Sequence, residues 1–102
     1  MIARVWRGSV RAADANAYEH YMRQVAVPGY REIAGNRGGY FLRRTVGDRE
    51  EFCMFTFWDS MEAIRGFAGN DPDAAVFYPQ DDAYLISRDE RVTHFTVYEV
   101  LD

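Results

Sequence analysis

The run Phe52–Trp58, Phe-Cys-Met-Phe-Thr-Phe-Trp, limits what this chain can fold into more than any other stretch. It is apolar or aromatic at nearly every position, as expected of a strand buried on both faces. Cys53, Phe55 and Phe57 alternate with Phe52, Met54, Thr56 and Trp58, so two separate sets of side chains must be kept from water. Asp59 or Ser60 then stops the strand and caps a helix, and Glu62 stands at capping-box spacing from Asp59. Met61, Ile64, Phe67 and Ala68 recur at helical spacing, and Gly69 suits the position just past a helix C-terminus. A central strand thus runs into a helix over about residues 60–68, with Trp58 at the junction.

The remaining elements follow from local signals. Residues 2–8 read as a strand whose end is loosened by Gly8 and Ser9. Tyr18, Tyr21, Met22 and Val25 form one apolar helical stripe, predicting a helix over about residues 14–26. Asp14 or Asn16 caps it, Asn16 with Glu19 has capping-box spacing, and Pro28-Gly29 ends it. Tyr30–Ala34 reads as either loop or short turn. Gly35-Asn36-Arg37-Gly38-Gly39 breaks the chain; because it precedes a strand rather than opening a helix, it is not a phosphate loop. Tyr40–Val46 is the second strand, joined to the third through a hairpin at Gly47-Asp48-Arg49. Asp71-Pro72 predicts a short helical piece to about Phe77, Asp82–Ile86 a further helical turn, and Arg91–Val100 the last strand.

The order is strand, helix, strand, strand, helix, strand. It predicts an α+β fold: ferredoxin-like βαββαβ, a four-stranded antiparallel sheet with both helices on one face, in one domain spanning residues 1–102. Two short helices cover one face of such a sheet. The other face is also too apolar for water, so a second sheet must meet it, most simply that of an identical chain in a two-fold homodimer.

Composition removes several classes. Hydrophobic residues make up 48% and aromatics 16%, which argues against disorder. The net charge of −4 argues against nucleic acid or an anionic membrane as partner. Arg43-Arg44 is the one basic pair of note and reads as a solvated or salt-bridged strand feature. Cys53, the single cysteine, excludes an internal disulfide and lies in the most apolar stretch, so it reads as buried and inert. No run is long enough to span a membrane, and charges interrupt the first residues, so the expected location is the cytoplasm. Two separated histidines and one buried cysteine do not make a zinc site; no metal or cofactor is expected.

Strand alternation sorts the candidate site residues. It assigns Ala3, Val5, Cys53, Phe55, Phe57, Phe95 and Val97 to the helix side. Arg4, Trp6, Met54, Thr56, Trp58, His94, Thr96 and Tyr98 fall on the other side. This second set mixes aromatic bulk with a few polar groups, which suits a small-molecule pocket and equally an amphipathic dimer interface. His94 reads either as a satisfied strand histidine or as a site residue, and Trp58 either as core or as a substrate wall. His20, beside the apolar stripe, reads as a half-exposed residue without function.

Phe55-Thr56-Phe57-Trp58-Asp59-Ser60-Met61-Glu62-Ala63, a strand ending in Trp-x-Ser-x-x-Ala, resembles the signature of the antibiotic biosynthesis monooxygenase family, as do Phe67-Ala68-Gly69 and the element order. The resemblance implies a dimeric α/β barrel with a cavity at each sheet. It also implies oxidation of a small aromatic or polyketide-like substrate by dioxygen without flavin or metal; the alternative is a non-catalytic dimeric barrel that binds a small ligand in a stress or regulatory role. In cofactor-independent members the deprotonated substrate supplies the electrons, within a dry aromatic box. On that reading Trp58 matches the family tryptophan, His94 is the candidate base, and Arg4 stabilises the substrate oxyanion. Trp6, Met54, Thr56, Thr96 and Tyr98 contact substrate, with Asn36 a loop contributor. A haem-degrading subgroup carries a histidine after the second helix and an asparagine on the first strand. Here Ala74–Pro79 holds no histidine and Ile2-Ala3-Arg4-Val5-Trp6 no asparagine, so haem degradation is not expected, although Tyr78 is of a type that can ligate ferric iron.

Overall fold

The computed structural model describes residues 1–102. Strand β1 (Ile2–Arg11) leads through a turn of 3-10 helix into α1 (Ala15–Glu32); β2 (Asn36–Val46) and β3 (Arg49–Trp58) form a hairpin; α2 (Met61–Ala68) follows. After an irregular stretch come the one-turn α3 (Asp81–Tyr84), β4 (Leu85–Arg88) and β5 (Thr93–Thr96). The fold is the ferredoxin-like α+β arrangement, antiparallel throughout, with β1 between β3 and the paired segments β4 and β5. The sheet is open, not closed into a barrel.

The fourth strand is therefore two short ones in tandem along one edge of β1. β4 pairs with Gly8–Val10 and β5 with Ile2–Val5. Asp89 fills the gap: its N–H donates to the Arg7 carbonyl at 2.8 Å, its carboxylate accepts from the Arg7 N–H at 3.0 Å, and its carbonyl accepts from the Trp6 indole at 2.9 Å. The expected strand over 91–100 is thus shortened to Thr93–Thr96. Strand β1 runs past Gly8, where a strand end was expected. A Cβ at Gly8 would lie 2.5 Å from the Trp6 ring, so this glycine makes room for the indole instead of ending the strand.

Helix α1 continues through Pro28 to Glu32 instead of stopping there. An interior proline forfeits a backbone hydrogen bond and strains the preceding turn, a cost of about 3 kcal/mol. The compensation is visible in Tyr30, whose ring packs 4.7 Å from Phe67, 5.4 Å from Phe41 and 6.3 Å from Trp58. No side chain caps the start of α1; Asn16 and Glu19 accept from Arg43 instead, at 3.2 and 3.0 Å. In α2 the cap is Ser60, whose hydroxyl accepts from the Ala63 N–H at 3.1 Å.

The helical piece expected over residues 71–77 is absent. Its carbonyls and N–H groups are used elsewhere: the Val92 N–H donates to the Asp73 carbonyl and the Ala75 N–H to the Glu90 carbonyl, while the Arg4 guanidinium takes the Pro72 and Ala74 carbonyls. Asp71 spends its carboxylate on the Asp73 N–H and on Arg91 rather than capping a helix.

The face assignment is reversed relative to expectation. α1 buries Ala15, Tyr18, Met22 and Ala26 against Trp6, Val10, Phe52 and Met54, and Thr56 and Trp58 are buried on the same side. Cys53, Phe55 and Phe57 face away from the helices and are only half-buried. Polarity misled the assignment: Arg4 and Thr56 are nearly fully buried because partners inside take up Arg4 N–H groups and give Thr56 an indole donor. Bulk decided it, since the two indoles and Met54 are what fill the space beneath α1.

Candidate functional site: a groove beside α1 and a buried arginine–histidine pair

The register of β1, β3 and β5 sets Arg4 opposite both Thr56 and His94. Arg4 is buried, with its Cζ 5.6 Å from the centre of the Phe67 ring. Besides the Pro72 carbonyl, it donates to the Ala74 carbonyl at 2.8 Å and to His94 Nε2 at 3.1 Å. A guanidinium only donates, so Nε2 accepts and the imidazole proton sits on Nδ1, from which it donates to Asp73 Oδ1 at 3.0 Å. Asp73, His94 and Arg4 thus form one chain of hydrogen bonds with His94 neutral. Burial first, and then the Arg4 charge, hold the His94 pKa below its ordinary value, against an opposing pull from Asp73.

Trp58 is fully buried and donates through Nε1 to Thr56 Oγ1 at 2.9 Å. Its ring packs 5.4 Å from Phe67 and 6.3 Å from Tyr30. Phe67 also lies against Arg4, and Tyr30 reaches from these rings to a groove along the outer side of α1. The groove is a cleft of about 340 Å³ lined by Val27, Tyr30, Arg31, Asn36, Gly38, Gly39, Phe41 and Thr56. It continues along α1 into a second cleft of about 260 Å³ that shares Val27, Arg31 and Phe41. Gly39 gives the groove its shape at the β2 edge: with φ of 155°, a Cβ there would meet the Phe55 carbonyl oxygen at 2.2 Å. At Gly38 an added Cβ would project into open space.

Asn36 lies at the base of the groove. Its Oδ1 accepts from the Gly38 N–H at 2.9 Å, which fixes the orientation of the amide. Its Nδ2 is buried and has no partner. An unpaired buried donor is costly, and native folds leave few of them.

Deeper in, a void of only about 10 Å³ remains beside Arg4, Tyr30, Tyr78 and Asp81, room for about one water. Met22, Tyr30 and Met54 line both this void and the groove system, so they form the partition between the two. Burial pushes the Tyr78 phenol up to about 12, and the Tyr30 phenol is raised as well, so both stay protonated.

The structure therefore brings together Arg4 and His94, and separately Trp58, Thr56 and Asn36, with Trp6 and Met54 in the core between sheet and α1. It does not bring in Tyr98, which is 95% exposed, or Thr96, which lies at the exposed rim. Sequence reasoning missed Tyr30 and Asp73. Tyr30 had a signal, since Tyr18, Met22, Ala26 and Tyr30 recur four apart straight through Pro28. Asp73 had none; only the pairing of residues 73–75 with 90–92 carries it to His94.

The donor set does not fit haem. His94 is the interior imidazole, both of its nitrogens are engaged, and the Tyr78 phenol is held protonated.

A ferredoxin-like sheet with one face under helices, and a tryptophan among aromatic rings at the end of its central strand, defines a class of small α+β proteins. The family model for antibiotic biosynthesis monooxygenases matches residues 1–75, and the chain belongs to that family. No curated protein matches the sequence. Among solved structures it is similar to the haem-degrader MhuD of Mycobacterium tuberculosis, which holds two haems in its active site, at 18% identity and TM-score 0.72 over 100% of each chain. It is similar to the ActVA-Orf6 monooxygenase of Streptomyces coelicolor, solved with nanaomycin D, at 18% identity and TM-score 0.64 over 98% of this chain and 89% of that one. An uncharacterised NIPSNAP domain protein of Burkholderia xenovorans is similar at 12% identity and TM-score 0.66, over 100% of each chain. At such identities the likeness is one of fold.

Proposed function

We propose that this chain is a small cofactor-independent monooxygenase that takes an aromatic or polyketide-like molecule into the groove between α1 and β2. Trp58 carries this reading: fully buried, it lies opposite Asn36 in the β2–β3 pairing and donates to Thr56, which lines the groove and lies opposite Arg4, the partner of His94. In such a reaction the substrate loses a proton to become an electron-rich anion. It then gives electrons to dioxygen, so that a methylene becomes a carbonyl and the second oxygen atom leaves as water. The aromatic wall of Tyr30, Trp58 and Phe67 keeps that anion from bulk solvent. Rotation of Met54 and Tyr30 opens the partition; Arg4 then turns from His94 to the substrate oxyanion and frees the Nε2 lone pair to accept the proton. The working form is a homodimer joined through the helix-free face of the sheet, where Tyr40, Leu42 and Phe95 are 64%, 48% and 55% exposed.

Dioxygen uptake with anthrone- and quinol-type substrates tests the reading. Turnover that falls at least about tenfold in Trp58→Phe and in His94→Ala supports it. No uptake with either substrate class refutes it. The second reading is a non-catalytic dimeric barrel that binds a small ligand, and the engagement of His94 Nε2 by Arg4 favours it. A ligand released in native mass spectrometry and unchanged by incubation in air is its expected signature.

A further inference from the structure

The groove beside α1 has an unusual balance of hydrogen-bonding groups. Asn36 Oδ1 accepts from the Gly38 N–H through one of its two lone pairs, and its buried nitrogen keeps two N–H donors without a partner. Thr56 has received the Trp58 indole N–H, which leaves its own O–H to give away. Three arginines reach the groove system. Arg43 is paired with Glu50 and Glu19, and Arg23 with Glu19, the latter at 3.3 Å. Arg31, at the last turn of α1, has no carboxylate partner. Acceptors among the lining side chains are few: the Tyr30 hydroxyl and the second lone pairs of Asn36 Oδ1 and Thr56 Oγ1, while the Glu19 carboxylate of the continuing cleft is held by Arg43 and Arg23. The rest of the wall is apolar: Val27, Phe41 and the Tyr30 ring.

We infer that the groove selects planar aromatic molecules bearing an oxyanion, with Arg31 as the residue that sets the preference for an aryl carboxylate over a neutral or amino-substituted ring. The aryl plane lies against Phe41 and Val27, the carboxylate meets the Arg31 fork, and an oxygen substituent at the inner end accepts from Asn36 and Thr56. A ligand offering only donors meets few free acceptors and leaves both the Arg31 fork and the Asn36 nitrogen unpaired, and groups left unpaired are the stronger kind of discrimination. This deepens the proposed function by naming the substrate class of the same groove.

Calorimetric titration of the intact protein with naphthoate, naphthol and naphthylamine at neutral pH tests it. Naphthoate is expected to bind at least about tenfold tighter than naphthylamine, and more weakly as salt rises. Arg31→Gln is expected to weaken naphthoate about tenfold while leaving naphthol unchanged. Asn36→Asp replaces the free donor by an acceptor and is expected to weaken both oxygen-bearing ligands relative to the amine. Equal or tighter binding of naphthylamine, an Arg31→Gln variant that keeps full naphthoate affinity, or no binding of any of the three overturns the inference. Naphthoate preference without dioxygen consumption by any substrate upholds the oxyanion groove and removes the oxidation reading. Dioxygen consumption without naphthoate preference does the reverse.

Discussion

The two faces of β3 differ by one residue step and by everything that covers them. On one, Phe52, Met54, Thr56 and Trp58 are almost completely buried beneath α1 and α2. On the other, Cys53, Phe55 and Phe57 are half-buried with no helix over them, and Tyr40, Leu42 and Phe95 around them are largely bare. Both rows are aromatic, so hydrophobicity alone does not tell core from interface. What separates them is saturation. The buried face has taken in an arginine, a threonine and an indole N–H and bonded each within the protein, whereas the exposed face sets bare aromatic rings beside solvent-facing polar groups such as Arg7, Arg44 and Glu51. Bare rings offer non-directional contacts; a face packed within the chain can hold directional ones.

That contrast can be broken experimentally. The largest effect is expected from Trp58→Ala, with a loss of about 3–5 kcal/mol in urea unfolding, against about 1–2 kcal/mol for Phe57→Ala at low protein concentration. Equal losses would mean that the two faces are alike in energy. A middle-sized effect is expected from Leu42→Glu: sedimentation should show a dimer becoming a monomer, while stability of the isolated chain moves by no more than about 0.5 kcal/mol. An unchanged sedimentation coefficient removes the second sheet from the picture. The smallest is a pH effect. Because the folded protein holds the His94 pKa below its unfolded value, the native state binds fewer protons than the unfolded one just below the ordinary imidazole pKa of about 6.5. The contribution of His94 to stability is therefore complete above about pH 6.5 and is lost as pH falls through the folded pKa. His94→Gln should flatten this limb of the stability–pH curve, and an unaltered limb would show that burial and the Arg4 charge do not hold the imidazole neutral.

Much of the fold was legible because it is local. The Gly47-Asp48 hairpin, the Ser60 cap and the strand–helix junction at Trp58 each rest on residues within a few positions of one another. Failures came where distant groups overrode local preference. Pro28 is a stop signal, but Tyr30 finds three aromatic rings from α2, β2 and β3. Asp71-Pro72 is a helix start, but Arg4 and residues 90–92 take the backbone groups that a helix needs. For the candidate site, Arg4, Thr56, Trp58 and His94 were readable as one strand face from alternation. The unpaired Asn36 nitrogen and the Asp73 bond were not, since neither leaves a periodic trace.

The position of β1 has a consequence for how the molecule assembles. It is made first, yet it lies between β3 and the β4–β5 pair, and the Arg4 and His94 side chains that meet are separated by 90 positions. On the ribosome, β1 can pair with β3 along one edge once the β2–β3 hairpin is out, while its other edge stays open and Arg4 waits for carbonyls not yet synthesised. Such long-range closure slows folding and leaves a sticky edge exposed during translation. A nascent-chain experiment should find residues 2–5 incompletely protected from protease until the segment carrying His94 clears the exit tunnel.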